Sequence, residues 1–181
     1  MSKIINLYSR PGGGKSSIAS GLTYELKKRH LTVNNPYEFA KELSWENNLT
    51  AINDQLFVLA NQHHGIVKSY NKVDYIVTDS PILLSLIYKN KYTDNKYPSY
   101  LYDEYFDKLI LNIHRSYDSI NIFLDSDRTS HNNLERFHDI IESKKIDKEI
   151  LNMLKVNDVD FKTIKLNDDT VKNIMINLDI W

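Results

Sequence analysis

The run Ser9-Arg10-Pro11-Gly12-Gly13-Gly14-Lys15-Ser16-Ser17 constrains this chain more than any other segment. It follows an apolar stretch, residues 4–8, that reads as a strand. It precedes Ile18, Leu22 and Leu26, which fall at helical spacing. Glycines between a strand and a helix let the backbone curl until successive N–H groups point inward, and the helix start adds its positive end. Such a loop is built to hold phosphate. Pro11, Gly12, Gly13, Gly14, Lys15, Ser16 and Ser17 are therefore the expected nucleotide-binding residues. Lys15 is expected to reach the β- and γ-phosphates of ATP, and the Ser16 hydroxyl to bind Mg²⁺. The usual phosphate loop begins with Gly, and Ser9 stands in that place.

Strand-like and helical stretches alternate along the rest of the chain. Residues 31–33, 73–78, 120–124 and 161–166 read as further strands. Helices are expected over residues 37–45, 49–70, 81–88, 101–117 and 134–155 and in the tail, with surface loops at 89–100 and 125–133. Alternation of this kind implies a parallel sheet with helices on both faces. The expected fold class is α/β, a P-loop NTPase with a five-stranded parallel sheet. All 181 residues are read as a single domain, with a lid at residues 125–137.

Carboxylates come next. The third strand runs out into Thr78-Asp79-Ser80-Pro81, and the C-terminal end of a parallel strand lies beside the loop that follows its neighbour. Asp79 is assigned to the metal ion, holding Mg²⁺ or orienting an acceptor, and shares with Glu38 the candidacy for catalytic base; alternatively Asp79 or Ser80 caps the next helix, with Pro81 at its first position. Glu38, after the second strand, has two readings. It takes the proton from an acceptor hydroxyl, or it is a first-turn acid complementing a helix dipole. Gln55 and Gln62, two helical turns apart, can read the polar edge of a substrate, or belong to a solvated face. The adjacent His63 and His64 point to different helix faces and do not form a metal site together.

Basic residues set the substrate class. No arginine lies between Glu38 and Asp79. An enzyme that phosphorylates a monophosphate must hold a dianion, usually by bidentate arginine. The expected acceptor is therefore a hydroxyl on a small, nucleoside-like molecule; the alternative is a nucleoside monophosphate, with Lys41, Lys68 or Lys72 standing in for the arginine. Arg128 and Arg136 fall in the lid, where an arginine stabilises charge on the transferring phosphoryl group, or they are exposed loop charges.

Composition excludes other classes. The formal net charge is -1, well short of the basic balance of a protein that grips nucleic acid through a broad positive field. A local basic lip leaves DNA available as a substrate. There is no cysteine, so thiolate catalysis and disulfides are excluded. No apolar run approaches the roughly 20 residues of a membrane helix, and no signal-peptide layout opens the chain. A soluble, cytoplasmic protein is expected.

Taken together, Ser9 through Ser17, Glu38-Phe39-Ala40-Lys41, Asp54-Gln55, Gln62, residues 73–81 and the Arg136 segment resemble a group of small phage-encoded P-loop ATP-binding proteins. Those are similar in turn to nucleoside/nucleotide kinases and to ribosylnicotinamide kinases. The resemblance spans most of the chain. It implies an ATP–Mg²⁺ phosphoryl donor, with Lys15 and Ser16 at phosphate and metal, Asp79 at the metal and Arg136 in the lid. It also brings in kinases thought to act on hydroxymethylpyrimidines within DNA, and a host-cytoplasmic setting. A homodimer is compatible with it. The reading from another class is a nucleotide-dependent regulatory ATPase or switch.

Overall fold

Short runs of Ile, Leu, Val, Tyr and Phe become strands, and every strand pairing is parallel. A computed structural model of the chain describes residues 1–92, 104–126 and 140–180. Its strands are β1 (Lys3–Tyr8), β2 (Val33–Asn34), β3 (Tyr75–Thr78), β4 (Ser119–Asp125) and β5 (Lys162–Lys165). They form a 5-stranded sheet in the order β2-β3-β1-β4-β5. The helices are α1 (Lys15–Lys28), α2 (Phe39–Trp45), α3 (Leu49–Asn53), α4 (Gln55–Val67), α5 (Ser85–Tyr92), α6 (Glu104–Arg115), α7 (Ile140–Val156) and α8 (Thr170–Asn177).

The period of two along each strand divides the core between the two faces of the sheet. Ile5, Leu7, Val77, Ile122 and Leu124 pack with Ile18, Leu22 and Leu26 of α1 and Ile174 and Met175 of α8. Ile4, Tyr8, Ile76 and Phe123 face the other way, against Leu59 and Ile66 of α4, Ile110 of α6 and Ile146, Ile150 and Leu154 of α7. Burial of each such side chain stabilises the fold by about 1.5–3 kcal/mol. Within the second layer, buried Asn6 donates to Asn121 Oδ1 (3.0 Å), which also accepts from the Tyr8 hydroxyl (3.3 Å). Burial pushes the Tyr8 phenol far above its ordinary pKa, so it stays a neutral donor.

The expected helix over residues 49–70 is two helices. Asp54 breaks it with an extended ψ of 84°, and its carboxylate accepts from the Phe57 N–H (3.0 Å), capping α4. A short Asp side chain that bonds the backbone locally competes with helix continuation, and spacing alone did not register it. The expected loop from residue 89 also begins late, because α5 runs on to Tyr92. Lys89 is 8% exposed and ion-paired with Asp107 of α6, so a residue read as polar loop is buried with a partner. Pro81 precedes a 3₁₀ turn at Ile82–Leu84 instead of opening the helix itself.

Chain order explains where a site forms. β1 is central, and the chain leaves it first to build β2 and β3 on one side, then β4 and β5 on the other. The C-terminal ends of β1, β3 and β2 therefore collect three loops at one rim: residues 9–14, 79–81 and 35–38. In open parallel sheets this is the edge where ligands bind.

Candidate active site

The glycines of the first loop have distinct tasks. Gly12 (φ 82°) and Gly14 (φ 91°) occupy the left-handed region, which side chains disfavour, and Gly14 is the N-cap of α1. Gly13 has no such backbone demand. It is required for space, because a Cβ there would lie 1.9 Å from Ser9 Oγ and 2.8 Å from Ser9 Cβ. Rotating the hydroxyl away would leave the second clash in place. Ser9, which stands where a phosphate loop ordinarily has Gly, thus fills the volume that a side chain at position 13 would take. The two positions have exchanged their steric roles. The Ser9 hydroxyl is fully buried and has no hydrogen-bond partner among the described residues.

Lys15 folds back over the loop. Its ammonium donates to the carbonyl oxygens of Ser9 (2.7 Å) and Arg10 (3.0 Å). The Arg10 carbonyl also accepts from the Gly13 N–H (3.0 Å). Arg10 itself is 7% exposed, with its guanidinium ion-paired to Asp147 of α7 and donating to the Ser126 carbonyl (2.6 Å). Asp147 carries no local signal in the sequence. It lies 137 residues from Arg10 along the chain, in a helix rich in other charges, and only folding reveals the pair.

Beside this loop opens a cleft of about 460 Å³, including its solvent-filled mouth, lined by Ser16 and Ser20 of α1, by Asp79, and by residues 35–38 with Lys41. Asp79 is 7% exposed, and no hydrogen bond or ion pair to a described residue engages its carboxylate. A buried carboxylate in that state is costly without a cation. With the Ser16 hydroxyl on the same cleft, the pair fits a hard divalent ion that takes oxygen ligands and phosphate. Glu38 is the N-cap residue of α2, and its side chain makes no capping bond to that helix. It lines the cleft and also stands at the N-terminus of α2, a position that serves either of its two expected roles.

The two glutamines part company. Gln62 donates to the Ser80 hydroxyl (2.8 Å), which places it beside Asp79. Gln55 is 3% exposed and its carboxamide N–H donates to the Ile52 carbonyl (2.7 Å), bridging α3 to α4. His63 bonds the Tyr117 hydroxyl (2.8 Å), and burial, with His64 nearby, holds its pKa below the ordinary imidazole value. At the cleft mouth Tyr37 (56% exposed) meets Trp45 edge-on at 6.4 Å, and Lys41 lies 4.8 Å over the Trp45 ring. Neither aromatic was singled out from the sequence. Arg128 and Arg136, and the lid at residues 125–137 beyond Ser126, lie outside the described residues.

No family model and no curated protein matches the sequence. Solved structures do. A NadR protein in complex with NR superposes with a TM-score of 0.62 at 15% identity, covering 93% of this chain and 44% of its own. This chain therefore spans less than half the length of that protein. A deoxyadenosine kinase from M. mycoides, with products dCMP and a flexible dCDP bound, superposes with a TM-score of 0.60 at 18% identity, covering 97% and 98% of the two chains. The same enzyme with bound dATP gives 0.59 at 19% identity, over 97% and 99%. At these identities the likeness speaks for the fold, and together with the five-stranded parallel sheet it establishes an α/β P-loop NTPase fold.

Proposed function

We propose that this chain is an ATP-dependent kinase that transfers the γ-phosphoryl group to a hydroxyl of a nucleoside-like acceptor. The observation that carries the reading is the shared cleft. A phosphate loop on the central strand opens directly onto a pocket holding Ser16, Asp79 and Glu38. Residues 11–17 hold the triphosphate of ATP. Lys15 exchanges its two backbone carbonyl partners for phosphate oxygens, a stronger charge-assisted pairing. Ser16 and Asp79 hold Mg²⁺, which when bound neutralises charge on the β- and γ-phosphates.

Glu38 accepts the proton of the acceptor hydroxyl. That oxygen then bonds to the γ-phosphorus as the bond to the bridging oxygen breaks and ADP departs. Asp79, committed to the metal, is the less suited base. Gln62, bonded to the hydroxyl of Ser80 next to Asp79, orients the acceptor's polar edge, while Gln55 acts through the α3–α4 junction. Arg128 and Arg136 are assigned to the transferring phosphoryl group, as lid residues. Among the described residues the cleft lining holds one cation, Lys41, and no arginine. Lacking the bidentate arginine that usually holds a dianionic monophosphate, it favours a neutral hydroxyl acceptor. The nucleotide and NR ligands named for the superposable structures agree with a nucleoside-like acceptor.

A second reading, a kinase for a modified pyrimidine in DNA, draws on one observation. Exposed Tyr37 and Trp45 at the cleft mouth offer rings on which bases of a single strand could stack. The test is labelled γ-phosphoryl transfer from ATP–Mg²⁺, with products identified by mass spectrometry. The acceptors are nucleosides, nucleoside monophosphates, ribosylnicotinamide, and DNA with and without hydroxymethyluracil. Label on a nucleoside is the expected result. Label on DNA alone would move the second reading forward, and label on a monophosphate would overturn the charge argument. ATP hydrolysis with no labelled acceptor would favour a regulatory ATPase.

A further inference from the structure

The two peptide groups that flank the Arg10 Cα are both held. The Arg10 carbonyl accepts from the Gly13 N–H (3.0 Å) and the Lys15 ammonium (3.0 Å), while the Arg10 N–H donates to Asp147 Oδ1 (2.6 Å). The other Asp147 oxygen takes the Arg10 guanidinium. One carboxylate on α7 therefore grips both the backbone and the side chain of the loop's second residue. Arg10 is 7% exposed, so these charge-assisted bonds form largely away from water, where they are strong.

An ion pair alone would be explained by fastening α7 to the sheet. That fastening is already supplied by Ile146, Ile150 and Leu154 of α7, each fully buried. The bond to the Arg10 N–H adds nothing to helix docking that a side-chain pair would not give. What it does fix is the plane of the Ser9–Arg10 peptide, whose Ser9 carbonyl accepts from the Lys15 ammonium (2.7 Å), and with it the position of the Arg10 carbonyl that follows. We propose that Asp147 is a positioning residue for the donor nucleotide: through Arg10 it pre-sets the curl of residues 10–13 and the place of the Lys15 ammonium. The loop then has less freedom to lose when phosphate arrives, and affinity rises accordingly. This inference rests on reading the loop as the ATP site.

The test is equilibrium titration of the full chain with ATP–Mg²⁺, with thermal melting recorded for each variant. Asp147→Ala should weaken ATP binding about tenfold, through loss of two charge-assisted bonds. Asp147→Asn keeps an acceptor for the Arg10 N–H and should recover part of this, leaving binding about threefold weaker than wild type. Ile150→Val, on the same helix, should lower the melting temperature while the folded protein binds ATP normally. Equal affinity in wild type and Asp147→Ala would overturn the proposal. So would a loss in Ile150→Val matching that in Asp147→Ala, since helix packing would then suffice. Should Asp147→Ala fail to fold, Asp147→Asn decides, and wild-type affinity there overturns the proposal. No ATP binding by the wild type would refute the nucleotide reading itself and this inference with it, a result distinct from equal binding by all variants.

Discussion

The rims proposed to hold donor and acceptor lie side by side on this sheet and are built on opposite principles. On the donor side, the loop between β1 and α1 is tied into the core: Ser9, Arg10 and Gly13 are buried, and Arg10 is clamped at its N–H by Asp147 and at its carbonyl by Gly13 and Lys15. On the acceptor side, residues 37–57 form the short helices α2 and α3 and the first turn of α4, and their apolar surface is only partly covered. Tyr37, Trp45, Leu49, Leu56 and Phe57 are all at least 43% exposed, and the small cluster of Leu43, Ile52 and Val58 is separate from the two main cores. Phosphate is the same in every substrate, so its cradle can be made of backbone and locked. The acceptor is what distinguishes one such protein from another, and its rim is made of side chains on lightly anchored helices.

The largest effect that would sharpen this contrast is on turnover. Glu38→Gln should lower kcat by about 10²–10⁴-fold through loss of the base, with ATP affinity changed less than about twofold. A fall in ATP affinity equal to the fall in kcat would break the division between rims. Lys15→Ala should show the reverse pattern, with ATP affinity down about 100-fold in a direct titration, through loss of charge-assisted phosphate contacts. Unchanged affinity there would remove the phosphate-loop assignment.

A smaller effect tests the exchange of Ser9 and Gly13. Gly13→Ala should destabilise the chain by about 1–3 kcal/mol through overpacking, measured by urea denaturation. Adding Ser9→Gly should return most of that, because the clash lies with Ser9 Oγ and Cβ. Additive losses in the double variant would mean the two positions are independent.

The smallest effect is a pH slope. Burial lowers the pKa of His63 on α4 and of His114 on α6, so the folded chain binds their protons more weakly than the unfolded chain does. Stability should therefore fall as pH drops below the ordinary imidazole value of ~6.5 and level off below the folded values. Melting temperatures between pH 7.5 and 5.5 would record it, and His63→Gln should flatten the slope. A slope unchanged by that substitution would exclude His63 as its source.

Much of the donor rim could be read along the chain because its parts are contiguous. Strand, glycines, lysine and helix occupy residues 3–28 without interruption, and the alternation of strand-like with helical stretches made the parallel sheet legible as well. Asp79 was legible for a related reason: a carboxylate at the end of an apolar strand has few other places to be. What could not be read were contacts between distant segments. Asp147 meets Arg10 across 137 residues, and Gln62 meets Ser80 across 18. The reuse of Gln55 as a buried bridge to Ile52 followed from the helix break at Asp54, which hydrophobic spacing does not report. The steric exchange of Ser9 with Gly13 was half visible, as a missing glycine; the other half is the close approach of the two residues in the folded loop.

The central claim is that the clamped loop holds the triphosphate and presents its γ-phosphorus to the cleft of Glu38 and Asp79. A crystal structure with a non-hydrolysable ATP analogue, Mg²⁺ and a nucleoside tests it most directly. The account expects the triphosphate within residues 11–17 and the Lys15 ammonium moved from the Ser9 and Arg10 carbonyls onto phosphate. It also expects the metal at Ser16 and Asp79 and an acceptor hydroxyl within hydrogen-bond reach of Glu38. A structure at saturating nucleotide in which Lys15 still rests on those two carbonyls, with the analogue bound elsewhere, would contradict it.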